Sequence, residues 1–186
     1  MHEFIKNLSN IIDPKFIIRK SSDSIAIEEK KNIKGCKKIQ IKLNRKKVFS
    51  FNLDQERTKY FRTFQFFNPS TSGIAMINDG IIAIKENDKI IFLLFELKSQ
   101  SMNNTDIQKK LKNAEYFCKY IINIINEHHN KHYQDQDIIF KSLLVTTNPS
   151  KTTTSGNKKI SFRKKNKIDN FAAISCNRDY RIEAFI

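Results

Sequence analysis

The chain reads as an α/β fold with a mixed central β-sheet flanked by α-helices, and three observations predict it. From residue 74 onward the order of segments is strand, strand, helix, strand, the pattern of helices laid against a sheet. The second of those strands is apolar on both faces, so both of its faces need cover. The helix after it carries one continuous apolar stripe, a single face to bury. With 186 residues, 39% of them hydrophobic, the chain is expected to form one domain with a sizeable core. We place that core at about residues 38–147 and a β-rich C-terminal extension at about 158–186.

The first element is a helix over residues 2–13, where Phe4, Ile5, Leu8, Ile11 and Ile12 share one face and Pro14 follows the end. Residues 15–37 carry no clear period; Ser21-Ser22-Asp23-Ser24 suits a turn or a helix cap. Ile39 to Leu43 and Val48 to Leu53 both alternate, and Asn44 to Lys47 between them suits a turn, so the two are expected to form a hairpin. Residues 54–67 mix charge with Tyr60, Phe61, Phe64, Phe66 and Phe67, consistent with a short helix entering a strand, and a loop follows from Pro69 to Gly73. Ile74 to Glu86 reads as strand with a break at Asn78-Asp79-Gly80. A tight turn at Glu86 to Lys89 makes the next strand its antiparallel neighbour.

That next strand is the most informative stretch of the chain. Six consecutive apolar residues, Ile90 to Phe95, run into Glu96-Leu97-Lys98. A polar loop, Ser99 to Asn104, leads to a helix from Thr105, striped by Ile107, Leu111, Ala114, Phe117, Cys118, Ile121, Ile122 and Ile125. The stripe fades in the polar stretch 127–136. A strand follows at Ile138 to Thr147, then a loop from Asn148 to Asn157, and three short strands are expected at 160–163, 171–175 and 180–185.

Charge narrows the class of partner. Lys and Arg number 34 against 19 Asp and Glu, a formal net charge of +15. Such an excess suits a polyanion, nucleic acid first and an anionic membrane surface second. Cys36, Cys118 and Cys176 are odd in number and lack a paired spacing, which argues against a disulfide framework or a zinc site. The N-terminus has an acid at Glu3 and no long apolar run, and no segment has the length of a membrane span, so a cytoplasmic setting is expected.

The chemistry concentrates at the end of the apolar strand. Side chains alternate along a strand, so Glu96 and Lys98 point to one side. Charged groups there are costly to bury unless paired or bound to a metal. Asp79 lies 8 residues before Asn87, and Glu96 lies 9 after it, so folding the hairpin brings the two carboxylates together. Two such groups repel, and a divalent cation relieves the repulsion; few hard oxygen ligands suit Mg²⁺. Lys98 on the same side could orient or deprotonate a water and steady charge on a phosphate.

This arrangement resembles the PD-(D/E)xK nuclease superfamily. In that superfamily an Asp opens one hairpin strand and a Glu-x-Lys closes the next. The matching stretches are Ile77-Asn78-Asp79-Gly80-Ile81-Ile82 and Phe92-Leu93-Leu94-Phe95-Glu96-Leu97-Lys98-Ser99. The resemblance covers about residues 70–147, and Asn78 departs from it by standing where the family name has proline. It implies a restriction-endonuclease-like core and an endonuclease that hydrolyses DNA phosphodiester bonds, of restriction, resolvase or repair type. It implies Mg²⁺, with Mn²⁺ as a substitute, held by Asp79, Glu96 and Leu97, and catalysis by Asp79, Glu96, Lys98 and Gln108. Members often add an upstream acid on the first helix, for which Glu28, Glu29 and Glu56 are candidates.

Other residues have competing readings. Gln108 sits early in the helix, near where some members of the superfamily carry a glutamine, yet Thr105-Asp106-Ile107-Gln108 is also a capping box. Ser99 and Gln100 are candidates to line the site. His128, His129 and His132 fit a solvated helix end better than a metal site. Basic residues cluster at Lys30 to Lys47 and at Lys158 to Lys167. Of these Lys46, Lys47, Lys158, Lys159, Arg163, Lys164 and Lys165 are the candidates for tracking nucleic-acid phosphates, with DNA expected over RNA. The aromatics of residues 60–67 suit core packing better than base stacking. A homodimer would serve double-strand cutting. The alternatives are a non-catalytic basic nucleic-acid-binding module, or a basic component of a phage or ribonucleoprotein assembly.

Overall fold

The computed structural model describes residues 3–29, 35–53, 71, 73–74, 76–98, 104–149 and 159–186. Outside them lie the aromatic stretch at 60–67, Glu56, Ser99, Gln100, Lys158 and the lysines at 30, 31 and 34. Helix α1 spans Glu3–Ile11, followed by strands β1 (Ser24–Glu28), β2 (Lys38–Lys42), β3 (Val48–Phe51), β4 (Gly80–Glu86) and β5 (Lys89–Lys98). Helix α2 (Asn104–His128) leads to β6 (Ile138–Thr146), β7 (Arg163–Lys165), β8 (Ile168–Ser175) and β9 (Asp179–Arg181). A short 3₁₀ turn, Ile182–Phe185, follows.

A mixed six-stranded sheet runs in the order β3-β4-β5-β6-β8-β7. Strand β5 lies inside it, antiparallel to β4 and parallel to β6. All six residues from Ile90 to Phe95 are buried, which is what a run apolar on both faces demands. Alternation divides those faces. Ile90, Phe92 and Leu94 pack with α1 and α2 residues, among them Phe4, Leu8, Leu111, Cys118 and Ile122. Ile91, Leu93, Phe95 and Leu97 pack on the opposite side.

The cover on that opposite side corrects the expectation of flanking helices. It is a second sheet of three strands, in the order β1-β2-β9, together with the 3₁₀ turn. Ile25, Ile27, Ile39, Ile41, Tyr180, Ile182 and Phe185 come from this layer. The described layers are therefore helices, six-stranded sheet, three-stranded sheet.

The expected β2–β3 hairpin does not form. Strand β2 pairs with β1 and β9, while β3 pairs with β4 in the other sheet. Asn44 and Arg45, both at positive φ, turn the chain from one sheet to the other. Period-2 alternation marks two strands but is blind to which partner each takes. Strand β1 was concealed in the stretch without a clear period. At the C-terminus the strands fall at 163–165, 168–175 and 179–181, and residues 182–185 wind into a 3₁₀ turn in place of strand. The segment from 159 is no appendage: β8 pairs with β6 inside the large sheet, and β9 completes the small one. The three cysteines are buried thiols.

Candidate active site

The register of β4 and β5 pairs Gly80 with Phe95 and Ile81 with Leu94. One further step sets Asp79 opposite Glu96, and the Asp79 N–H donates to the Phe95 carbonyl at 3.0 Å. A slip of one residue would have turned Asp79 to the other face. Asn78 holds this entry by hydrogen bonds. Its Nδ2 donates to the Gly80 carbonyl at 2.7 Å and to the Phe95 carbonyl at 3.3 Å. Asp79 Oδ2 in turn accepts the N–H of Leu97.

Both acids are buried, Asp79 at 5% exposure and Glu96 at 0%. They lie on the face of the sheet that the helices cover. Lys98 Nζ stands 2.7 Å from Glu96 Oε1. A second ammonium, Lys110 Nζ from the first turns of α2, stands 2.8 Å from the same oxygen. The other oxygen, Glu96 Oε2, is buried without a hydrogen-bond partner among the described residues.

Protonation follows from this packing. Burial, with the Glu96 carboxylate beside it, pushes Asp79 up from 3.8 to about 7, against the Leu97 N–H and the two lysines. Burial pulls Lys98 down, but Glu96 overcomes it and holds the group above its ordinary value. Lys98 is thus an ammonium, a donor of hydrogen bonds and charge, and a poor acceptor of a proton while Glu96 is ionised.

Sequence reasoning missed Lys110. It was one lysine among several in a helix whose apolar stripe carries the periodic signal. Its phase with the buried Ile107 and Ala114 was the available clue, since residues three and four apart share a helix face. The helix begins at Asn104, with Thr105 in its first turn. Among the described residues it is Lys110 of α2 that reaches Glu96, and Gln108 makes no hydrogen bond there.

The basic candidates are spread apart. Lys46 pairs with Glu86 at 2.7 Å, at the turn end of the hairpin. Seven residues of β4 separate that end from Asp79, about 20 Å of strand. Lys47 and Lys159 are exposed. Arg163, Lys164 and Lys165 form β7, the strand at the far edge of the sheet. Lys164 stands 3.5 Å from Asp169, and Lys165 lies over the Phe171 ring at 4.5 Å. None of these joins the acid pair. Glu28 and Glu29 lie at the end of β1, in the second sheet and not on a helix. His128 and His132 are exposed at the end of α2.

Two buried carboxylates, one with an orphaned oxygen, are a donor set that fits a hard divalent cation. No group of three or more His, Cys, Asp or Glu side chains that could hold a metal occurs among the described residues. A cation here would keep several waters, as Mg²⁺ does. A separate cleft of about 240 Å³, lined in part by Glu115, Lys119, Asp135, Phe140 and Asp169, contains neither acid.

No family model, curated protein or solved structure matches the chain. No described helix is long and apolar enough to cross a membrane.

Proposed function

We propose that the protein is a Mg²⁺-dependent endonuclease that hydrolyses DNA phosphodiester bonds, with Asp79, Glu96 and Lys98 at its centre. The observation that carries this reading is the buried pairing of Asp79 with Glu96 across the β4–β5 hairpin, with Lys98 on the same side. The resemblance of these residues to the PD-(D/E)xK pattern supports it, and so does the net charge of +15.

Asp79 and Glu96 would hold the cation, joined by the Leu97 carbonyl, the backbone group that the motif implies. When bound, the cation polarises a phosphoryl oxygen and lowers the pKa of a bound water. The chain does the rest. Glu96 holds the Lys98 ammonium at the mouth of the pair, where it donates to the scissile phosphate and stabilises developing charge. Lys110 shares Glu96 Oε1 and keeps the carboxylate oriented. Asp79 is fixed by the Leu97 N–H, so its carboxylate is aimed before substrate arrives.

Incubating plasmid, single-stranded DNA and RNA with Mg²⁺ or EDTA tests the reading. Cleavage is expected only with the metal, and Asp79→Ala, Glu96→Ala and Lys98→Ala are each expected to abolish it while circular dichroism reports a folded chain. A Lys98→Ala protein cutting at the wild-type rate would sink the mechanism.

A second reading, a basic nucleic-acid-binding module without catalysis, is favoured by one feature. Two ammonium groups against two carboxyls already balance the site without a metal. Salt-sensitive binding with no cleavage in Mg²⁺ or Mn²⁺ would select it.

A further inference from the structure

Three large hydrophobic side chains stand exposed among the described residues: Ile74 at 41%, Tyr116 at 59% and Tyr120 at 61%. They belong to one neighbourhood. Tyr116 and Tyr120 are one turn apart on α2, about 6 Å along its axis, on the face turned away from the sheet. The Asn113 side chain, one turn before Tyr116, donates to the backbone carbonyls of Gly73, Ile74 and Met76 at 2.8, 3.2 and 2.9 Å. It thereby pins the segment holding Ile74 to the same helix. Lysines edge the patch. The Lys109 stem packs beside Gly73, and Lys112 Nζ lies 5.6 Å from the centre of the Tyr116 ring. Lys110, which binds Glu96, starts the same stretch of helix, so the patch leads away from the acid pair.

Such a surface calls for a flat, apolar-faced and anionic ligand. A second copy of a chain of net charge +15 would bring like charge onto lysines already there. The one acid in the stretch, Glu115, offsets this only in part, pairing with Lys112 at 2.7 Å and Lys119 at 3.6 Å. A double helix keeps its bases stacked inside, out of reach of rings on a convex helix. A single strand offers both what tyrosine rings stack on and what lysines neutralise.

We propose that the outer face of α2 binds a single nucleic-acid strand, its bases stacked on Tyr116 and Tyr120 and its phosphates met by Lys112, whose side chain stays 30% exposed beside Glu115. The inference rests on the nuclease reading for the step after binding, because it names the strand form delivered to Asp79 and Glu96. Binding itself needs no catalysis.

Fluorescence anisotropy in EDTA tests it, with labelled DNA and RNA strands of about twenty nucleotides, longer than the footprint of a small binding surface, and a DNA duplex of the same sequence. Tyr116→Ala/Tyr120→Ala is expected to weaken single-strand binding by at least about 30-fold. Duplex affinity should change by less than about 2-fold, and the salt slope, set by phosphate contacts, should stay the same. Tyr116→Phe/Tyr120→Phe should bind as the wild type does. Unchanged single-strand affinity in the Ala variant overturns the proposal. So does equal loss for strand and duplex, or a wild-type dimer in sedimentation that the Ala variant dissociates. If the wild type never cleaves but the binding pattern holds, the hydrolase reading falls and the strand surface stands. If Mg²⁺-dependent cleavage occurs and the Ala variant binds normally, the reverse is true.

Discussion

At the scale of residues, Asp79 couples stability to pH. Its carboxyl titrates at about 7 in the folded chain against an ordinary 3.8. Between those values the folded state holds a proton that the unfolded state has lost, so stability falls as pH rises through this window and is level above it. The buried charge at pH 8 therefore costs on the order of 4 kcal/mol. Melting in EDTA is expected at a higher temperature at pH 5.5 than at pH 8. Asp79→Asn should flatten the difference, other titrations cancelling between the two proteins. A cation needs the ionised carboxylate, so Mg²⁺ should raise the melting temperature at pH 8 and hardly at pH 5.5. Equal protection at both values would argue against Asp79 as a ligand. Glu96 makes the complementary prediction. Replacing it with Gln removes the carboxylate that Lys98 and Lys110 both contact, and chemical denaturation should report a loss of about 3 kcal/mol. The pairing of Asp79 with Glu96 was legible in the sequence because residue counts on either side of a tight turn fix antiparallel register. Lys110 was not, because which lysine of a helix reaches a strand depends on how that helix is rotated about its axis.

At the scale of elements, the site depends on how closely β4 approaches the second sheet. Gly80 follows Asp79, and a Cβ on it would lie 2.8 Å from Ile27 Cγ2 and 3.1 Å from its Cδ1. Ile27 is a fully buried residue of β1, with neighbours that hold it in place. Gly80→Ala should therefore destabilise the fold by about 1–3 kcal/mol, the cost of overpacking a close-packed interior. It should also shift Asp79, lowering apparent Mg²⁺ affinity in a titration. In an Ile27→Ala background the added methyl has room, and its cost should shrink; additive losses in the double variant would exclude the clash as the cause. The glycine in Asn78-Asp79-Gly80 read from sequence as part of a break in the strand. Its reason is the sheet beneath it, which no local pattern announces, because β1 and β2 carry the same alternation whether they pair with each other or with β3. Strands β2 to β6, the β4–β5 hairpin and the buried face of α2 were readable from periodicity. Partner choice between two sheets was not.

At the scale of the whole molecule, the C-terminal stretch is structural, although composition alone makes it look like an extension. Short strands with polar residues between them resemble an add-on when their partners are unknown. Those partners are β6 and β2, more than twenty residues earlier in the chain. Tyr180, Ile182 and Phe185 enter the core between the two sheets, and Phe185 meets Phe95 of β5 edge to face at a centroid distance of 6.0 Å. The Phe185 carbonyl also accepts from Lys141 Nζ at 2.7 Å, and the Ala184 carbonyl accepts from the Ile160 N–H at 2.8 Å. Emptying one large buried side chain costs about 2–5 kcal/mol. Three together reach the whole net stability of an ordinary domain, about 5–15 kcal/mol. A chain ending at Cys176 is therefore expected to lose cooperative unfolding, and to bind a dye that reports exposed apolar surface, even though it keeps Asp79, Glu96, Lys98 and Lys110. Removing β9 would also leave β2 an edge strand paired only with β1 and loosen the cover that Ile39 and Ile41 give the sheet behind the site. A shortened chain that melts cooperatively near the wild-type temperature would mean that the six-stranded sheet and its helices stand without the second layer.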